Sequence, residues 1–374
     1  MLRNFVAVIA FSLSCAALAE APPPPSVAAR AWLLVDLASG QLIAGRNADE
    51  RIEPASLTKL MSAYLTFAAL KQNTLAQTQT VSVSERARRA GGSRMFLDPG
   101  KPVTVEELLQ GMIVQSGNDA CIALAEAVAG SEGAFAQMMN REAARLGMKN
   151  THFSNSSGLP DPAHYSTAND LALLATALIR DFPEYYKLYS EREYSYNNIT
   201  QLNRNRLLWL DPNVDGLKTG HTENAGYCLI ASAKRGPRRL LSVVLGASSD
   251  SVRAQESQKL LNFGFQSYDD VRLYAKGQTI GMLEVWKGSR GELKAGVAND
   301  LFVTVPKGET DGLKAELVSQ QPLVAPLSAG ERVGTLRVAL NDKPLGEYPV
   351  VVLENVAVSG FFGRVWDSAR LWFK

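Results

Sequence analysis

Ser56 and Lys59 stand one helical turn apart in EPASLTKLM, residues 53–61, directly after Pro54. Leu57, Leu60, Met61, Tyr64 and Leu65 surround them in a run that reads as a helix built for burial. Residues i and i+3 share a helix face. A lysine desolvated there has its ammonium form disfavoured and its pKa lowered. A neutral amine beside a serine hydroxyl is a general base beside a nucleophile. A serine at a helix start also lies near backbone N–H groups able to stabilise an oxyanion. Alone, S-x-x-K is weak, since about one match is expected by chance in a chain of this length. Taken alone, a serine near an N-cap with a snorkelling lysine is the better reading of the pair.

Two further elements change that balance. QSGND carries Ser116-Gly117-Asn118 at a break between two helical patterns, and VDGLKTGHTENAGYC carries Lys218-Thr219-Gly220 just ahead of an expected strand. S-x-x-K, S-x-N and K-T-G, in that order and widely spaced, form the acyl-serine set. Lys218 adds a second positive charge, which lowers the Lys59 pKa further and attracts an anionic substrate end. Ser116 can pass a proton between Lys59 and a leaving amine, and Asn118 can hydrogen-bond a substrate amide. Gly220, lacking a Cβ, lets a substrate backbone approach the strand edge. His221 reads as scaffold and amide donor, and His164, in DPAHYST, as a structural loop residue. Three histidines without H-E-x-x-H argue against a zinc peptidase, and the lack of G-x-S-x-G argues against an α/β-hydrolase triad.

From about residue 28 onward the chain resembles the low-molecular-mass penicillin-binding proteins of the serine D-alanyl-D-alanine carboxypeptidase type, the penicillin-binding protein 5/6-like peptidases of family S11. The resemblance is carried by PASLTKLMSAY, LLQGMIVQSGNDACIALAEAVAGSE, LGMKNTHFSNSSGLPDPAHYSTANDLALLATALIRD, QLNRNRLLW, VDGLKTGHTENAGYCLIASA and the C-terminal tail. It implies Ser56 as acylated nucleophile, Lys59 as its base, Ser116 and Asn118 as the second motif, and Lys218, Thr219 and Gly220 on the substrate-holding strand. It implies an oxyanion hole from the N–H groups of Ser56 and His221. Arg253, in SSDSVRAQES, is expected to help bind the terminal carboxylate, with Arg204 in support. The expected substrate is the peptidoglycan pentapeptide, with β-lactams as covalent inhibitors and no metal or other cofactor. A serine β-lactamase shares the trio, but a class A enzyme deacylates through a glutamate for which no E-x-x-L-N stretch stands between Ser116 and Lys218. A non-catalytic wall-binding scaffold is the other alternative, opposed by the intact trio.

These residues need a frame. The 374 residues suggest about two domains, and 46% hydrophobic content is ample for a core. With 39 basic and 37 acidic residues and no Lys/Arg-rich block, nothing points to nucleic acid. Residues 1–19 form an export signal ending in Ala17-Leu18-Ala19, with cleavage expected after Ala19. Residues 20–30 are a Pro-rich linker. Paired strands are expected over 31–45 and 225–248. Helices are expected over 55–71, 105–129 (interrupted at 115–119), 131–146, 168–181 and 250–264. Strands at both ends and helices between suggest an α+β, β-lactamase/transpeptidase-like catalytic domain over 31–265: an antiparallel sheet with a helical cluster inserted. Cys121 and Cys228 lie in apolar runs and read as two buried free thiols.

Residues 266–355 alternate β-like runs with turn signals and read as a small all-β domain, without His or Cys. Residues 356–374, read as a helix, place Val358, Phe361, Phe362, Val365, Trp366, Ala369, Trp372 and Phe373 on one side. Arg364, Asp367, Arg370 and Lys374 fall on the other. Aromatics opposite cations mark a helix lying in a membrane interface, too short to span. The expected location is therefore periplasmic, peripheral on the outer face of the bacterial inner membrane.

Overall fold

The computed structural model describes residues 22–372, so the export signal and the last two residues of the tail lie outside the described residues. Strands β1 (Ala31–Asp36) and β2 (Leu42–Arg46) form a hairpin turning at Ser39-Gly40. Much later come β3 (Val214–Thr222), β4 (Gly226–Arg235) and β5 (Arg238–Ala247). β1 pairs antiparallel with β5, Trp32 opposite Val244, so both ends of the segment build one sheet of order β2-β1-β5-β4-β3. Its central strands β1, β4 and β5 carry near-continuous apolar runs because both faces are covered. Leu33, Ile230, Leu241 and Val243 enter the core under the helical cluster. Leu34, Leu229, Leu240 and Val244 enter a second core with Leu260 and Leu261. Alternate side chains of a strand point to opposite faces, which separates the two sets.

The helices of the cluster are α1 (Lys59–Lys71), α2 (Val105–Val114), α3 (Asn118–Ala129), α4 (Glu132–Arg145) and α5 (Ala168–Asp181). α6 (Asp250–Ser267) covers the opposite face of the sheet. Their starts are set by side chains: a Thr104/Glu107 capping box for α2, and Ser131, Thr167 and Ser249 accepting from the first-turn N–H groups of α4, α5 and α6. α1 is buried nearly all round, from Lys59 to Phe67 without a break. It is the core of the cluster rather than an amphipathic surface helix.

Two details differ from the sequence expectation. The helix foreseen from residue 55 opens with a 3-10 turn, Ala55–Thr58, entered through Ala55 at φ +48°. The K-T-G residues lie inside β3, the edge strand of the sheet, rather than ahead of a strand. Both cysteines are buried and free, as read from their surroundings.

Residues 268–352 form strands only, apart from a 3-10 turn at Thr310–Gly312, around a separate core including Leu293, Val303, Leu336 and Val350. The tail helix α7 spans Phe361–Leu371, five residues shorter at its start than expected. Val356 and Val358 instead form β-bridges to Leu327 and Gly288, so Val358 is not on the helix.

Arg238 joins the all-β part to the sheet. Its guanidinium lies 2.8 Å from Asp36 and 3.3 Å from Asp270, and it donates to the Gly264 carbonyl at 3.1 Å. Nearby, the β1–β2 turn meets the strand Leu301–Pro306 through Ser39 and Thr304, hydroxyl to hydroxyl at 2.6 Å. Burial, reinforced by Asp36, pushes the Asp270 carboxyl up to about 7 against the pull of Arg238. Its folded pKa stands above the ordinary unfolded value of about 4. The folded form therefore keeps a proton that the unfolded chain releases, and this contribution to stability is lost as pH rises from about 4 to about 7. Asp270→Asn, permanently neutral, should raise the unfolding free energy more at pH 8 than at pH 5; equal effects in paired urea titrations would contradict the assignment.

The segment Ser154–Leu159 is wedged beneath the turn carrying Ser56. Gly158 has φ +83°, and a Cβ there would stand 1.8 Å from the Ala55 carbonyl oxygen. Backbone cannot yield to that contact as a flexible side chain could. Gly158→Ala should cost about 3 kcal/mol or more, from strain plus overpacking. A thermal melt within a degree of the parent protein would contradict it.

Candidate active site

Ser56 sits on the 3-10 turn, half-buried, at the mouth of a cleft of about 550 Å³. Lys59 begins α1 and is 1% exposed. Its Nζ donates to Ser56 Oγ at 2.9 Å and to the Ser157 carbonyl at 2.7 Å. Burial, with help from Arg204, lowers its pKa to about 8, while Asp119 and Cys121 pull the other way. One proton fewer on that nitrogen leaves a lone pair facing the serine hydroxyl.

The Ser157 carbonyl is aimed by its own loop. The Asn155 side chain accepts from the N–H groups of Ser157, Gly158 and Leu159, closing a tight turn. Ser62 and Cys121 both donate to the Ser156 carbonyl, at 2.6 and 3.1 Å. Glu132 accepts from the Ser156 N–H and hydroxyl. Burial works to raise the Glu132 carboxyl, but the bonds from Ser156 and Arg86 hold it below the usual range. His164 supports the serine turn from below. Its Nδ1 accepts from the Ser154 N–H at 3.1 Å, so Nε2 carries the proton and donates to Thr58 Oγ1 at 2.8 Å. Burial lowers its pKa to about 4, which keeps it neutral. It is the structural loop residue the sequence suggested.

Ser116 occupies the break between α2 and α3, and Asn118 opens α3. Ser116 has φ +68° and is buried, and both its Oγ and the Asn118 Oδ1 lack a protein partner. Buried polar atoms without partners are rare in proteins, and here both residues line the cleft. Asn118 spends its Nδ2 on the Gly91 carbonyl at 2.7 Å. Asp119 accepts from the N–H groups of Met95, Phe96 and Leu97 at 2.9–3.2 Å, which pins the loop over the break. Arg204 also crosses it, donating to the Gln115 carbonyl and to Ser93 Oγ, each at 3.1 Å.

The opposite wall is β3. Lys218 is buried and donates to the Thr219 carbonyl at 3.0 Å. Burial depresses its pKa well below the ordinary value, with Lys59, Arg204 and Arg253 as further causes. Gly220 does something other than the sequence suggested. A Cβ there would lie 3.1 Å from the Pro54 carbonyl and 3.2 Å from Ser56 N, so its bareness lets the strand close on the serine turn. His221 is exposed and its ring lies tilted against Tyr227 with centroids 4.0 Å apart. Arg253, from α6, donates to the Gly220 carbonyl at 3.0 Å and the Cys228 carbonyl at 3.3 Å, and pairs with Asp250. Its guanidinium therefore braces β3 from behind as well as lining the cleft.

Ser56, Ser116, Asn118, Arg204, Thr219, Gly220, His221 and Arg253 all line this one cleft, with Lys59 and Lys218 buried in its walls. Sequence reasoning missed Gly92, Ser93, Ser157, Leu159, Tyr227 and Asp250, which also line it. Ser157 contributes a main-chain carbonyl, for which no side-chain signature exists. The only hint was the Asn155–Gly158 turn signal. Tyr227 could have been found from its register opposite His221 once β3 and β4 were paired.

The sequence model of the family described as D-alanyl-D-alanine carboxypeptidase matches residues 17–249, and that of the penicillin-binding protein 5 C-terminal domain matches residues 268–358. The chain is 48% identical over 357 residues to D-alanyl-D-alanine carboxypeptidase DacC of Escherichia coli, covering 93% of this chain and 89% of that one. Among solved structures it is similar to penicillin-binding protein 5 of Haemophilus influenzae, with TM-score 0.86 and 40% identity over 90% of this chain and 99% of that one. Penicillin-binding protein D2 of Listeria monocytogenes, solved in an ampicillin-bound form, aligns at TM-score 0.60 and 32% identity over 65% of this chain and all of that one. On these matches, which extend over both the helical and the all-β parts, the chain belongs to the D-alanyl-D-alanine carboxypeptidase family.

Proposed function

We propose that the chain removes the terminal D-alanine from peptidoglycan pentapeptides through an acyl-enzyme on Ser56. The observation that carries this is the 2.9 Å bond between Ser56 Oγ and a buried Lys59 amine whose pKa is lowered to about 8. Lys59 takes the hydroxyl proton as Ser56 Oγ bonds to the carbonyl carbon of the penultimate D-alanine. Charge gathering on that carbonyl oxygen meets the backbone N–H groups of Ser56 and His221. The proton passes through Ser116 to the leaving amine, the C–N bond breaks, and D-alanine departs. Water then adds to the ester with Lys59 again as base, and Ser56 is regenerated. Lys218, Thr219 and Arg253 receive the terminal carboxylate, and Asn118 Oδ1 accepts from a substrate amide. β-Lactams, which carry a carboxylate beside a reactive amide, acylate Ser56 by the same steps; the Listeria relative solved with ampicillin supports this.

A class A β-lactamase deacylates through a carboxylate that activates water at the ester. The acidic residue among those lining the cleft is Asp250, and it is paired with Arg253 and Arg206. That favours slow turnover of β-lactams over efficient hydrolysis.

The tail supports attachment to the periplasmic face of the inner membrane. Among the described residues no helix is long and apolar enough to cross a membrane. α7 turns its aromatics away from the protein: Phe362 is 87% and Trp366 68% exposed. A helix docked on its own core would do the reverse, whereas a helix lying in a bilayer interface needs this arrangement. The all-β domain then raises the cleft toward the wall.

Purified mature protein should release D-alanine from a D-Ala–D-Ala-terminated peptide, and Ser56→Ala should lower that release roughly ten-thousand-fold. No release by the folded parent protein would overturn the activity, and release surviving in the variant would overturn the nucleophile. The acylation rate by a β-lactam should rise with pH, about tenfold per unit below about 8, and level off above as Lys59 becomes neutral. A rate flat between pH 6 and 9 would contradict the role of Lys59.

A further inference from the structure

We propose that Asp367 and Arg370 lock the tail helix onto the turn Trp286–Gly288, making it a rigid foot that seats on an anionic phospholipid surface and sets the enzyme's orientation there. The proposal rests on the membrane reading above and adds that the attachment is a fixed mount rather than a flexible tether.

The tail reaches the helix as an added strand. Val356 bridges Leu327 and Val358 bridges Gly288, while Ser289 N donates to the Ala357 carbonyl at 2.7 Å. Lys287 is then gripped on both sides. Its carbonyl accepts from Ser359 N at 2.7 Å, and its N–H donates to the Asp367 carboxylate at 2.6 Å. The second grip is possible because Lys287 has φ +58°, a left-handed conformation that a non-glycine residue holds only when its surroundings fix it. One turn along α7, Arg370 lies over the Trp286 ring, 5.4 Å from its centroid, and that tryptophan is itself buried. A charge-assisted bond, a cation–π contact and a strand addition act within about fifteen residues. A flexible tether requires none of them.

The two contacts made from the helix itself, by Asp367 and Arg370, use its polar side. Phe361, Phe362, Val365 and Trp366 are left exposed together. Asp367 is the tail's acidic residue, and it is turned inward to the Lys287 N–H. Arg364 remains exposed, and Lys374 follows in the sequence. The outward surface is thus aromatic with the exposed Arg364 beside it, which suits anionic headgroups over acyl chains.

The test uses the mature protein with Leu202→Cys carrying a donor dye, on phosphatidylethanolamine/phosphatidylglycerol vesicles with an acceptor on the headgroups. Leu202 is 61% exposed, whereas Cys121 and Cys228 are fully buried, so labelling is selective. Time-resolved transfer should give one narrow donor–membrane distance. Adding Asp367→Ala with Arg370→Ala should broaden it, while co-sedimentation with the vesicles changes by less than about threefold, since the aromatic face is intact. Alanine favours helix, so loss of the lock is not loss of the helix. A broad distribution in the parent protein, or an unchanged narrow one in the variant, would overturn the lock while leaving membrane attachment standing. Failure of the parent protein to sediment would overturn both. Without vesicles, exchange of the Lys287 amide proton should quicken about tenfold in Asp367→Ala, as expected for one lost bond; equal exchange would also count against the lock.

Discussion

A lysine amine buried in the protein interior is the constraint from which most of this structure follows. Lys59 is buried at the head of a helix that is itself the centre of a hydrophobic cluster. A buried ammonium is costly unless paired, and among the described residues no carboxylate bonds directly to this one. Its partners are a hydroxyl and a carbonyl, Ser56 Oγ and the oxygen of Ser157, which suit a nitrogen shared between charged and neutral forms. Asp119, which favours the charged form from a distance, spends its oxygens on backbone N–H groups of the neighbouring loop. Arg204 supplies positive charge at the cleft, while Lys218, buried in its wall, has its own ammonium form disfavoured. The result is an amine that gives up its proton near physiological pH, close to where a general base is most useful.

Holding that amine takes scaffolding from far along the chain. The Ser156–Gly158 loop is tied to α1, α3 and α4 through Ser62, Cys121 and Glu132. It fits beneath the serine turn because residue 158 has no side chain, just as β3 fits against the turn from the other side because residue 220 has none. The two glycines let main chain approach main chain around Ser56, and that places N–H groups and carbonyls where side chains would otherwise intrude. Left-handed Ala55 and Ser116 mark the two points where the backbone is bent to deliver a hydroxyl into the cleft. Strain of this kind gathers at functional sites and persists when the surrounding packing over-determines it.

Much of this was legible in the sequence. The ordered trio of motifs named the cleft residues, and the apolar runs predicted a sheet assembled from both ends with helices between. What escaped has physical causes. The Ser157 carbonyl is main chain and carries no residue signature. The role of Gly220 depends on what lies across from it, a tertiary fact that residue type cannot encode. Arg253 was expected to face substrate, yet three of its contacts are to Gly220, Cys228 and Asp250, so it also supports the strand. The tail's helical periodicity ran back to residue 356, but extended pairing with Leu327 and Gly288 won over local propensity until Phe361.

The most direct test of the central claim is the titration of Lys59 itself, followed by carbon-detected NMR of the lysine side-chain Cε in unliganded protein, with Lys59→Arg to assign the signal. The account predicts a midpoint near 8 for Lys59. A midpoint at about 10.4, the ordinary value for a solvated lysine, would mean that the amine stays charged beside Ser56, and the proposed base would have to be sought elsewhere.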